Sequence, residues 1–588
     1  MKDFFKNVFA TMLGVFLFGV AMTVFGFICI IGIAASTSAT KKIEKNSVLV
    51  LKLDGSMSER DENNLMDELN GVTSLSFEST MKAIKKAKDN DKVAGIYLEV
   101  GQLGADLAQA EEIEKALLDF KKSGKWIIAY GESYSTLGYY LASAANKIYM
   151  NKEGMLDWAG LGGEKVYYKN LFAKFGVRYI TTKVGKYKSA VEQMTADNIS
   201  DADREQTQRY LNGWWNTILS TVAQNRQINK DSLNAYADRV ITLEAPENTL
   251  KYKMIDGLVY NDQVKNIVKK QLGIDEDEDI NKVSVDDING DETPVMGDHI
   301  AVYYAYGDIV DKTTPQGIFQ SNHQIVGSEM CNDLEDLAKD DNVKAVVIRV
   351  NSGGGSAYAS EQIWHQISEL KKAKPVVVSM SGAAASGGYY LSSNANWIVA
   401  EPTTITGSIG IFGLFADLSE LYTKKLGINY AEVKTNRNAV FGASGHPFTS
   451  EQLSMLQNHV NRGYMLFKKR VAEGRRMTVD QVEKVAQGRV WLGEDAIKLK
   501  LVDQLGGLDD AIEKAAKLAK LTDYDTASYP ASSGIWEQLL NSYSNADDIL
   551  DSRLQANLGE FYEPFKLVYS IKSMDKVQAR MPYIIKIK

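Results

Sequence analysis

Two stretches of this chain repeat one another at a distance of 250 residues, measured from Tyr139 to Tyr389. SGAAASGGYYLSSNANWI runs from Ser381 to Ile398, and ESYSTLGYYLASAANKI runs from Glu132 to Ile148. Setting Tyr389-Tyr390-Leu391 on Tyr139-Tyr140-Leu141 also brings Gly388 onto Gly138, Asn396 onto Asn146 and Ile398 onto Ile148, and sets Ser386 opposite Thr136. DNVKAVVIRVNSGGGSA, from Asp341, matches DKVAGIYLEVGQLGADL, from Asp91. Lys498 to Asp503 echoes Lys251 to Asp256, and the opening strand Asp298 to Gly307 echoes Asn46 to Gly55. So long a period means two copies of a whole domain of about 230 residues, not a solenoid of small repeats.

Five segments follow: an N-terminal anchor (1–45), a first repeat (46–272), an acidic linker (273–297), a second repeat (298–528) and a tail (529–588). No charged residue occurs from Val8 to Thr40. As a helix, Val8 to Ala35 would span roughly 42 Å against a hydrocarbon core of about 30 Å, so it is read as a retained membrane span. A cleaved signal peptide, the alternative, usually has an apolar region of only about 7–15 residues. Lys2 and Lys6 on one side face Lys41, Lys42 and Lys45 on the other, so charge counting does not settle the orientation.

The remainder has the composition of a soluble globular protein, with 24% charged and 45% hydrophobic residues and a net charge of −8. An acidic balance without a basic stripe argues against nucleic acid. Cys29, inside the anchor, and Cys331 are not expected to pair, so disulfides say nothing about the compartment. In the linker, Asp275 to Asp279 has the alternation of a calcium loop. Ile280 stands where its turn glycine belongs and Asp286 where its bidentate glutamate belongs, so a solvated linker is expected and no metal.

Apolar runs alternate with helical spacing. In the second repeat, strands are expected at Ile300 to Ala305, Lys344 to Val350, Pro375 to Ser379 and Trp397 to Ala400. Helices are expected at Tyr358 to Leu370, Ser386 to Ser393, Ser450 to Ala472 and Thr478 to Ala486. This order predicts an α/β domain with a largely parallel sheet.

Ser386 follows three alanines and precedes two glycines, where a strand gives way to a helix. Such a turn can present a hydroxyl beside backbone N–H groups, as an acyl-transfer nucleophile requires. A helix N-cap with glycines for packing is the structural alternative. Asn351-Ser-Gly353-Gly354-Gly355-Ser356 follows a parallel strand at the end where α/β sheets set their ligand sites; it lacks the Gly-Lys-Ser/Thr ending of a phosphate loop. All five histidines (His299, His323, His365, His446 and His459) lie in the second repeat, and none forms a recognisable triad or metal motif. A lysine in the first repeat is the better base candidate. GKYKSAVE, from Gly185 to Glu192, follows the apolar Val177 to Ile180, and its second-repeat counterpart is Asn436-Arg437-Asn438-Ala439. One repeat keeps the serine and the other keeps Lys188, which is the pattern of a single composite site.

GKYKSAVE and AAASGGYY, with NSGGGS, Thr406-Gly-Ser-Ile-Gly410 and the closing Gln578 to Tyr583, resemble the signal peptide peptidase A (protease IV) family in its long two-domain form. The resemblance covers nearly the whole chain. It implies tandem crotonase/Clp-protease-like domains and a Ser–Lys dyad without cofactor, with Ser386 as nucleophile and Lys188 as general base. Gly387, with Gly354 or Gly355, would form the oxyanion hole, and Ser189 would orient the amine. It further implies cleaved signal peptides as substrates, a homo-oligomer, expected as a tetramer, and a single-pass location in the bacterial inner membrane with the catalytic part outside the cytoplasm. The family usually has proline where Gly353 and Gln193 stand, and neither change removes a group needed for acyl transfer. A lysine pKa is ordinarily about 10.4, so Lys188 has to be desolvated to act near neutrality. A general envelope protease, a crotonase-type acyl-CoA enzyme and a non-catalytic membrane scaffold are the rival functions.

Overall fold

The computed structural model describes residues 41–61, 74–290, 297–312, 323–531 and 577–581, with a few positions between 6 and 22 and residue 295. Most of the expected membrane span lies outside these residues; among the described ones, no helix is long and apolar enough to cross a membrane.

Each repeat is built on a largely parallel sheet. In the first, the strands Ser47–Ser58, Val93–Gly104, Trp126–Gly131 and Lys147–Met150 lie side by side in that order, all parallel. In the second, Trp397–Ala400, Val376–Ala385, Val343–Ser352 and His299–Tyr306 repeat the arrangement. Strands of Val, Ile, Leu and Ala with both faces covered are what a parallel sheet requires; all ten residues of Val343–Ser352 except Lys344 and Asn351 are buried.

The duplicated motif is explained by packing that recurs in both halves. Asn146 Oδ1 accepts the Ile127 N–H at 2.8 Å, and Asn396 Oδ1 accepts that of Val376 at 2.8 Å. The Tyr139 hydroxyl donates to the Met254 carbonyl, and the Tyr389 hydroxyl to that of Leu501. Asp256 accepts the Ile148 N–H and pairs with Arg226, while Asp503 accepts the Ile398 N–H and pairs with Arg475. Each set ties a sheet strand to the helix and loop behind it. These residues therefore repeat for structural reasons, independently of chemistry.

Two stretches are more integrated than expected. Within the acidic linker, Lys282–Val283 adds a parallel strand to Val48–Leu49, and a short capped helix, Val285–Asn289, packs beside it. From the tail, Val577–Arg580 enters a third, smaller sheet. That sheet also contains Arg178–Lys183 of the first repeat and Gly354–Ser356 and Phe412–Asp417 of the second, so it joins the halves.

Buried charge fastens the same junction. Arg349 is fully buried and meets Glu59 at 2.9 Å and Glu112 at 2.7 Å, both from the first repeat. It also donates to Ser379 and Ser381. Trp214, on the long helix Asp201–Arg226, donates its indole N–H to the Thr403 carbonyl across the junction. A buried guanidinium is costly unless acceptors and counter-charges surround it; here Glu59, Ser379 and Ser381 accept from it and Glu112 lies within ion-pair distance.

Candidate active site

Val376–Ala385 runs into Ser386, which precedes the short helix Gly387–Ser392. A serine at that position would ordinarily cap the helix with its hydroxyl. Ser386 does not: its φ is 54° and its side chain accepts no capping bond. The first repeat supplies the contrast. Its equivalent helix, Thr136–Ala142, is capped in the usual way by Ser135, with φ −69° and a bond from the Gly138 N–H. The Ser386 backbone is held instead by its N–H donating to the Gly407 carbonyl and its carbonyl accepting from Tyr390. Positive φ is uncommon outside glycine and marks a position over-determined by its surroundings. It turns the hydroxyl out of the helix end and toward Lys188.

Lys188 arrives from the other repeat. Arg178–Lys183 pairs antiparallel with Phe412–Asp417, from Lys183 opposite Phe412 to Arg178 opposite Asp417. The loop that follows is pinned by the Tyr187 N–H donating to the Gln487 carbonyl. Gly488 leaves room for the lysine stem, since a β-carbon there would lie 2.6 Å from that of Lys188. The result brings two residues 198 positions apart into contact: Lys188 Nζ lies 2.7 Å from Ser386 Oγ. Both residues are 0% exposed.

The amine has two further partners, the carbonyl oxygen and the hydroxyl of Ser408, each at 3.0 Å. A neutral amine has two N–H donors and one lone pair. Ser408 supplies two acceptors for the donors, which leaves the lone pair for the Ser386 O–H. Burial drives the Lys188 pKa well below its ordinary value. Among the described residues no carboxylate pairs with the amine to oppose that shift.

Ser189 does not meet the amine. Its hydroxyl donates to Asp203 Oδ1 at 2.7 Å and accepts from Gln206, tying the lysine loop to the start of the Asp201–Arg226 helix. The amine contact is made by Ser408, within the Thr406 to Gly410 motif. Sequence reading singled out that motif but assigned the serine no task.

The glycines lie beside Ser386. A β-carbon on Gly354, whose φ is 101°, would come within 2.6 Å of the Gly387 nitrogen. The Gly354 N–H is engaged by Ser352 Oγ at 3.1 Å, so of the two loop glycines Gly355 is the better candidate donor. Glycines packed beside a buried hydroxyl and an amine whose pKa is lowered by burial are suited to acyl transfer.

Family comparison agrees with this chemistry. The model of peptidase family S49 matches residues 119–275 and again 368–522. The chain belongs to peptidase family S49. It is a serine peptidase with two S49 domains, and the two matches fall on the two repeats. Protease 4 of Salmonella typhi is 38% identical over 84% of this chain and 78% of its own length. Serine protease SPPA, chloroplastic, of Arabidopsis thaliana is 31% identical over 82% of this chain and 70% of its own. Among solved structures, a ClpP1 mutant from Listeria monocytogenes covers 36% of this S49 peptidase at 14% identity and a TM-score of 0.24, a likeness too slight to carry an argument.

Proposed function

We propose that this S49 peptidase cleaves membrane-associated peptides, released signal peptides foremost, through a Ser386–Lys188 dyad split between its repeats. The observation that carries the reading is the 2.7 Å contact between the Lys188 amine and the Ser386 hydroxyl inside a fully buried site. Desolvation lowers the pKa of the amine and so favours its neutral form, whose lone pair takes the Ser386 proton as Oγ attacks the peptide carbonyl. Negative charge developing on the carbonyl oxygen is met by the Gly387 N–H and that of Gly355. Protonated Lys188 then gives its proton to the leaving amine, and the same amine activates the water that hydrolyses the acyl-enzyme. No cofactor or metal takes part in these steps.

The substrate class rests on the apolar segment Val8 to Ala35 and on the resemblance to signal peptide peptidases. An anchor would confine the dyad to the surface where cleaved signal peptides remain, in a bacterial inner membrane with the catalytic part outside the cytoplasm and in a homo-oligomer, a tetramer by family resemblance. The test is competition between a synthetic signal peptide in lipid vesicles and a soluble polar peptide of equal length, both offered to the full-length protein. Preference for the signal peptide by tenfold or more in kcat/KM supports the reading. Equal rates favour a general envelope protease.

A further inference from the structure

Gln206, in the second turn of the long helix Asp201–Arg226, has no part in the steps above, yet it is 2% exposed and both ends of its amide are engaged. Its Nε2 donates to the Tyr187 carbonyl, the Ser189 hydroxyl and Asp203 Oδ1, each at 3.1 Å. Its Oε1 accepts the Val490 N–H at 3.3 Å. Tyr187 and Ser189 are the chain neighbours of Lys188, and Asp203 is fixed in turn by Lys165 at 2.6 Å. Val490 belongs to the other repeat.

Through Val490 the amide reaches the frame that seats the serines. Val490 lies opposite Gly407, whose carbonyl accepts the Ser386 N–H at 2.8 Å, and the adjacent Arg489 carbonyl accepts the Ser408 N–H at 2.7 Å. One side chain therefore ties both flanks of the base to the strand beside the nucleophile and Ser408. The task needs donors and an acceptor on one short planar group, which an amide has, whereas a carboxylate lacks the donors and an apolar side chain lacks both. A buried amide is costly unless its bonds are made, so this is a poor choice for a position that only fills space.

The second repeat supplies the contrast. Its equivalent helix, Ser450–Arg475, also has 26 residues, and its Arg475 pairs with Asp503 as Arg226 pairs with Asp256. In that alignment Gln206 falls on Met455, which is 45% exposed, while the counterpart of the lysine segment is Asn436 to Ala439. The buried amide stands in the repeat that has a lysine to hold, and the repeat without the lysine has a methionine there.

We propose that Gln206 is a positioning residue for the peptidase reaction: by holding Tyr187, Ser189 and Val490 it fixes the Lys188 amine against Ser386 and Ser408 across the junction of the repeats. The proposal rests on the dyad reading above. Gln206 acts through Lys188, so its loss lowers kcat and leaves KM in place.

The test compares the full-length protein with Gln206→Met, which removes the amide at similar volume, and with Gln206→Asn, which keeps the amide but is one methylene too short to span from Tyr187 to Val490. Circular dichroism checks folding, a fluorogenic peptide gives kcat and KM well below the thermal midpoint, and a fluorophosphonate probe reads how fast Ser386 is modified. Misplacing a reacting group by about 1 Å can cost about a hundredfold, so kcat and labelling are expected to fall about 10- to 100-fold in Gln206→Met, with KM within twofold of wild type. Each variant is then combined with Ser408→Ala. Both act on the same amine, so the combined loss is expected to fall short of the product of the separate ones. A kcat within twofold of wild type in the folded variants, or losses that multiply in full with Ser408→Ala, overturns the proposal and makes Gln206 a structural residue, whatever happens to the thermal midpoint. Lys188→Ala keeps the two readings apart: wild-type turnover by this folded variant sinks the dyad itself, whereas an inactive Lys188→Ala beside a fully active Gln206→Met sinks only the positioning role.

Discussion

Replacing Ser408 by alanine should separate positioning of the base from its presence. The Ser408 hydroxyl accepts from the Lys188 amine at 3.0 Å, while the Ser408 carbonyl, retained in the variant, accepts from it at the same distance. A neutral buried hydrogen bond contributes about 1 kcal/mol net, and a buried donor left without a partner costs up to about 3 kcal/mol. If that loss falls on the transition state, kcat drops by about 5- to 150-fold at about 1.4 kcal/mol per tenfold. KM should stay put, because Ser408 meets the lysine and not the substrate. The acid limb of the rate profile adds a second signature. The lost hydroxyl is an acceptor that favours the charged amine, so the limb should hold its position or move to lower pH as the plateau falls. The assay is steady-state hydrolysis of a fluorogenic peptide between pH 5 and 10. A kcat within twofold of wild type, or an acid limb moved upward, would refute the reasoning.

Three further outcomes follow from the same geometry. Wild-type activity should rise with pH through a single deprotonation set by the burial-lowered pKa of Lys188, and a pH-independent kcat/KM in that range would count against a lysine base. Lys188→Met should abolish turnover yet raise the thermal midpoint at pH 7. The folded chain binds fewer protons here than the unfolded one between the lowered pKa and the ordinary 10.5, so the cost of the buried amine is largest at low pH and fades toward 10.5; calorimetry against pH reads the difference. Arg349→Ala leaves Glu59 and Glu112 buried without their cation and should cost about 3–5 kcal/mol in denaturant unfolding, with activity falling because the junction holds the dyad together.

Much of the architecture was legible because apolar periodicity is local. Ser450 to Ala472, with its Thr449 cap, is observed as Ser450–Arg475 with Thr449 capping through Gln452, and Trp397–Ala400 is found at its expected bounds. Pro375 to Ser379 proved too short: the strand runs from Val376 to Ala385, because the alanines that read as a turn continue the sheet up to Ser386. The serine and the lysine could be named because each stood in a repeat whose partner had lost it. Their contact could not be read, since it depends on Arg178–Lys183 docking against Phe412–Asp417 of the other repeat. Ser408 escaped for a similar reason: serine is common in loops, and only its positive φ of 51° and its approach to the amine set it apart. Val577–Arg580 alternates apolar and polar residues over only four positions, too short a run to read as a strand, and its pairing depends on the strands on either side of it.

The split dyad is tested most directly by turnover of one fluorogenic peptide by wild type, Ser386→Ala and Lys188→Ala, each shown to be folded by circular dichroism. General-base removal typically costs about 10²- to 10⁴-fold, and loss of the nucleophile at least as much. The account predicts that both variants fall into that range or below it. Turnover by folded Lys188→Ala within tenfold of wild type would contradict it, because the amine 2.7 Å from Ser386 would then not be the base.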